Sequence, residues 1–113
     1  MHELSICESL LAIIEEQATA HDYTRVKTVW LEVGRLAGVE IEALYFSFDV
    51  VTRDTLAEGA KLAIIELPGQ AWCFACGRSI LLEDPFDVCP QCQRGALQIT
   101  GGEELRIKEL EVE

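Results

Sequence analysis

Basic residues are scarce in this chain. Nine lysines and arginines stand against 20 aspartates and glutamates, a formal charge of −11 over 113 residues. Such a field repels phosphate backbones, so nucleic-acid binding starts poorly, and cations or basic protein surfaces are favoured instead. Long apolar runs are missing too. None approaches the ~20 residues that span a bilayer, and Met1-His2-Glu3 lacks the basic and apolar regions of a secretory signal. The expectation is a cytoplasmic protein with no membrane partner, whose cysteines stay reduced or bind metal. With two histidines in the chain, no Ser-His-Asp arrangement and no glycine-rich phosphate loop, an enzyme reading has little to stand on.

What is present is led by four cysteines: Cys73-Phe-Ala-Cys76, a spacer of 12 residues, then Cys89-Pro-Gln-Cys92. Each CxxC can wrap a metal ion as a knuckle, and two knuckles supply the four sulfurs of a tetrahedral zinc site. Four thiolates leave no open coordination position, so such a site holds structure and does not activate water. Two disulfides are the alternative, without other signs of an exported chain. Iron is the rival metal, because Cys-x-x-Cys-Gly and Cys-Pro-x-Cys resemble rubredoxin knuckles, although Gln93 follows the second pair where rubredoxins carry glycine. Ile80, Leu81, Leu82, Phe86, Leu97 and Ile99 are the candidate core of this module. That is too little apolar area for some 30 residues to fold without the metal.

Hydrophobic periodicity organises the rest. Leu4, Cys7, Leu10, Leu11, Ile14 and Ala18 predict an amphipathic helix over 4–20; on that stripe Cys7 reads as a small buried hydrophobe. Alternation predicts a strand over 26–33, with Val29, Leu31 and Val33 on one face. Ile41, Leu44, Tyr45, Phe48 and Val51 predict a second helix over 40–52. Strands follow over 61–67 and 105–112, the last with a slip in phase near Lys108-Glu109 that suggests a bulge. Pro68-Gly69 and Gly101-Gly102 bracket the cysteines as hinges. The expected architecture is α+β: a small mixed sheet of three strands with two helices, residues 1–69 and 102–113. A zinc-ribbon-like module, residues 70–101, is inserted between two of its strands. Monomer is the default, with a weak homodimer by segment exchange as the variant. His21, near a helix C-terminus, reads as a charge that suits the helix dipole.

The chain start offers a second metal chemistry. Met1 should be retained before a residue as large as histidine. Its α-amine, the backbone nitrogen of His2 and the His2 imidazole Nδ1 can then close two fused chelate rings. Displacing an amide proton points to nickel or copper in tetragonal geometry. A further ligand would come from the Glu3 carboxylate, another carboxylate such as Glu40, or a partner.

Taken together, Met1-His2-Glu3-Leu4-Ser5, Val29-Trp30-Leu31-Glu32-Val33-Gly34, Glu58-Gly59-Ala60, Cys73-x-x-Cys76, Cys89-Pro-x-Cys92 and the Glu-Val-Glu ending resemble the HypA/HybF family of nickel chaperones for nickel–iron hydrogenase maturation. The resemblance runs the length of the chain. It implies nickel at Met1, His2 and Glu3, zinc at Cys73, Cys76, Cys89 and Cys92, and a HypB-type GTPase and the hydrogenase large-subunit precursor as partners. The position where some relatives place an acidic group near nickel falls at Glu40. The competing class is a zinc-ribbon interaction module that docks a protein through its acidic body, with His2 incidental.

Overall fold

A computed structural model describes residues 2–113; Met1, the first of the expected nickel donors, lies outside the described residues. The elements are α1 (His2–His21), β1 (Val26–Gly34), α2 (Ile41–Val51), β2 (Lys61–Leu67), β3 (Gly69–Cys73), β4 (Arg78–Leu82), β5 (Leu97–Gly101) and β6 (Leu105–Val112). They form two three-stranded sheets, ordered β2-β1-β6 and β4-β3-β5. No helix among the described residues is long and apolar enough to cross a membrane. The expected α+β fold with a cysteine module is what the chain adopts.

The chain divides into two compact units. The first holds the chain up to Leu31, Val39–Ile64 and Ile107–Glu113. Within it α1 packs on α2. The buried face of α1 is Glu3, Cys7, Leu10 and Ile14, steps of four, three and four residues that keep to one side of a helix. The stripe therefore opens on Glu3, and Leu4, expected inside, is 45% exposed. Asp22 ends α1 in the left-handed region at φ 59°, where a short polar side chain is tolerated. The Tyr23 hydroxyl then donates to the Ile14 carbonyl at 2.8 Å, folding the turn back on the helix.

From α2 the buried residues are Leu44, Ser47 and Phe48; Tyr45, expected on the packing stripe, stays 41% exposed, and the buried face is shifted to include Ser47. Thr52 closes the helix, its hydroxyl donating to the Phe48 carbonyl at 2.7 Å. As the central strand, β1 buries Val26 and Thr28 as well as Val29, Leu31 and Val33. The buried Thr28 hydroxyl is satisfied by donating to Glu111 Oε1 at 2.7 Å. In β6, Lys108 and Glu109 are consecutive exposed residues between half-buried Ile107 and Leu110, which is where the apolar phase changes.

The second unit comprises Glu32–Gly38 and Ile65–Arg106. Its sheet is antiparallel, with Cys73 opposite Arg78 on β4 and opposite Leu97 on β5. The core is Leu36, Ala71, Cys73, Ile80, Leu82 and Cys89, with Cys76, Cys92, Leu97 and Ile99 against it. Leu81 (63% exposed) and Phe86 (93%), expected in this core, lie outside it. Leu36 is a member instead, from a segment more than thirty residues before Cys73 in the chain.

Backbone contact fixes that segment. The Gly34, Arg35 and Leu36 amides donate to the carbonyls of Glu104 (2.7 Å), Leu67 (2.9 Å) and Gly102 (2.6 Å). Gly102 sits at φ +102°, and a Cβ there would lie 2.5 Å from the Gly69 Cα. The glycines at these positions thus meet a demand for close approach, beyond any role as pivots.

Candidate metal centre

Cys73 closes β3, and the chain turns at once: the Gly77 N–H donates to the Cys73 carbonyl at 2.8 Å, and the Cys76 N–H to Cys73 Sγ at 3.4 Å. The second knuckle repeats the first, with the Gln93 N–H donating to the Cys89 carbonyl at 2.8 Å. Gly77 and Gln93 occupy the same place in each, at φ +65° and 58°. Glycine reaches that region freely; glutamine does so at a cost of roughly 1–2 kcal/mol. The difference between the CxxCG and CxxCQ knuckles is therefore one of strain, with geometry preserved.

The four sulfurs converge, all within 4.8 Å of one another. Cys73 Sγ lies 3.7 Å from Cys92 Sγ, and Cys76 Sγ 3.8 Å from Cys89 Sγ. A tetrahedral zinc ion with Zn–S bonds of about 2.3 Å spaces its sulfurs about 3.8 Å apart. A disulfide needs about 2.0 Å, and all five cysteines are free. The donor set therefore fits a closed, tetrahedral, soft-ligand site, as expected for zinc. The thiols are unequal. The Cys92 N–H, the largest influence, helps pull Cys89 down to about 6, while hydrogen bonding to Cys73 first, and burial next, push Cys76 up to about 12. A divalent ion must expel the remaining protons, so occupancy falls with acid.

At the other candidate site, His2 is exposed and is the first residue of α1. Glu3 is 6% exposed, and its Oε2 accepts the Glu40 N–H at 3.1 Å. The chain's α-amino group, then the Glu40 N–H, hold the Glu3 carboxyl down to about 2. Glu40 itself is exposed at the N-cap of α2, its own side chain making no capping hydrogen bond. The structure thus brings Glu3 and Glu40 together, with the backbone of Glu40 making the bond.

Two further sequence candidates take structural roles. Cys7 is fully buried, its thiol donating to the Leu44 carbonyl at 3.6 Å; burial, and secondarily the charge of Glu3, push it up to about 11. A thiol held protonated between two helices is a packing group. His21 stands exposed in the last turn of α1, where a positive charge suits the dipole. Sequence reasoning missed Leu36, whose only signal is an apolar residue between Gly34 and Gly38.

Comparison with known proteins agrees with this layout. A family model described as HypA, hydrogenase/urease nickel incorporation, metallochaperone, matches residues 1–112. Hydrogenase maturation factor HypA of Azotobacter vinelandii is 56% identical over 113 residues, covering all of both chains. The protein of the same name from Alkalilimnicola ehrlichii is 57% identical, also over the full length of both. The solution structure of the Ni metallochaperone HypA from Helicobacter pylori superposes with a TM-score of 0.71 at 25% identity, covering 99% of this chain and 97% of that one.

Proposed function

Because the chain belongs to the HypA family of hydrogenase and urease nickel-incorporation metallochaperones, we propose that it binds nickel at its N-terminal segment, Met1, His2 and Glu3, and delivers it during maturation of a nickel–iron hydrogenase. The observation that carries this reading is the full-length match to hydrogenase maturation factors in a chain opening Met-His-Glu. In it, nickel is cargo. Cys73, Cys76, Cys89 and Cys92 hold zinc as a structural ion, and the protein does no covalent chemistry. A HypB-type GTPase and the hydrogenase large-subunit precursor are its partners, in the cytoplasm.

Chemistry at the start of α1 supports the assignment. The first four N–H groups of a helix have no carbonyl partner within it. The His2 amide can therefore lose its proton without breaking a helical bond, and the positive end of the helix dipole favours the resulting anion. The α-amine, that nitrogen and the imidazole Nδ1 form the proposed planar donors; Glu3 or Glu40 supplies a further oxygen. Exposure of His2 suits a site that must give its metal up.

The proposal requires a free amine at Met1, which makes it sharply testable. One residue added ahead of Met1, or His2→Ala, is expected to abolish nickel binding in titration calorimetry while zinc content stays at one ion per chain. An extended protein that binds nickel as tightly as the native one removes the proposed site.

A further inference from the structure

Phe86 stands 93% exposed on the loop that joins β4 to the second cysteine pair, and Val88 beside it is 61% exposed. The loop around them is tightly made. Asp84 Oδ1 accepts the Phe86 N–H at 2.9 Å, and Asp87 Oδ2 accepts the Asp84 N–H at 3.1 Å. The Asp87 N–H donates back to the Asp84 carbonyl at 3.0 Å, and Pro85 fixes its own φ. An aromatic ring is thus presented at a set position, with little backbone entropy left to lose on binding. Burial in its own module does not explain it, since Leu36, Ile80 and Leu82 fill that core.

We propose that this loop is a docking point for a partner protein whose surface offers an apolar pocket rimmed by lysine or arginine. The ring supplies the anchor, as buried aromatics do at interface hot spots. Charge selects the kind of partner. Glu83, Asp84 and Asp87 flank Phe86 in a chain of net charge −11, with Arg35 reaching only Glu83, at 2.7 Å. Nucleic acid and an anionic lipid surface would each bring more negative charge against the loop. A two-fold contact with a second copy would set the same carboxylates against themselves. A cationic rim around an apolar pocket satisfies both features at once. The inference takes its candidate partners from the proposed function, while the nickel site uses none of these residues, so loss of docking with nickel affinity intact separates the two.

The test uses the zinc-loaded full-length protein, titrated against the hydrogenase large-subunit precursor and, separately, the HypB-type GTPase, each at low and physiological salt. Phe86→Ala is expected to weaken binding to one of them by about tenfold or more, with zinc content and nickel affinity unchanged. The double variant Asp84→Asn, Asp87→Asn keeps a carbonyl oxygen for each loop N–H and removes two charges. It is expected to slow association and flatten the salt dependence. Equal binding by wild type and Phe86→Ala, or no binding of the wild type to either protein, overturns the proposal. An unchanged salt dependence in the double variant overturns the cationic rim. Wild-type dimerisation in sedimentation that Phe86→Ala abolishes overturns the partner in favour of a second copy.

Discussion

The Glu3 carboxylate, buried at the start of α1, accepts the N–H of Glu40 at the start of α2. One side chain within the proposed nickel segment thereby also secures a helix junction. Its carboxyl titrates lower in the folded chain, at about 2, than its ordinary 4.5. The stabilisation it contributes is therefore complete above the ordinary value and is lost as pH falls toward the folded one. Thermal melts of metal-free wild type and Glu3→Gln should show a gap that is widest near neutral pH and closes as the pH is lowered from 4.5 to about 2. A gap independent of pH would remove the charge from this account. The bond itself was not legible in the sequence, where Glu3 and Glu40 met only as alternative oxygen donors to nickel. An acidic residue beside a helix start reads as a charge that suits the dipole, and its hydrogen-bond partner lies 37 residues away. The cysteine cluster was legible because its geometry is local: each CxxC builds its own knuckle, and two knuckles need only meet.

At the level of elements, strong periodicity locates the longer helices and strands. The positions of β2 and β6, and of α2 within a residue at each end, follow from alternation or three-and-four spacing. In contrast, β3, β4 and β5 have five residues each, around a small core shared between cysteines and aliphatic side chains. Runs of five residues are too short for alternation to fix a phase, and of the four clustered cysteines only Cys73 lies in one of these strands. Leu81 and Phe86 could not be told from Ile80 and Leu82 on hydrophobicity alone. Leu36 makes the same point from the other side, since a lone apolar residue in a glycine-flanked turn has no periodicity to betray its burial. Its removal should be felt at the metal. Leu36→Ala is expected to cost about 2–5 kcal/mol of stability and to speed zinc transfer to a competing chelator, measured by the chelator's absorbance. Zinc release at the wild-type rate would show that Leu36 fills space without supporting the sulfurs.

For the whole molecule, the two compact units differ in what holds them. The first has helix-on-helix packing through Cys7, Leu10, Ile14, Leu44 and Phe48; the second has a small core in which four cysteines are members. Chelation should therefore unfold the second and spare the first. The two tryptophans report on this separately, Trp30 in β1 of the first unit and Trp72 in β3 of the second. In Trp30→Phe, chelating zinc is expected to red-shift the remaining emission; in Trp72→Phe the emission should hold, with helical circular dichroism retained. Loss of both signals together would mean that the metal supports the entire fold. Leu36 carries one more consequence. A segment cut at the cysteines, or grafted from Cys73 to Cys92 into another host, would bring every metal ligand and leave a wall of its own interior behind. As a transferable part, the zinc module is a two-piece assembly, and the piece without cysteines is the one that alignment by metal ligands would discard.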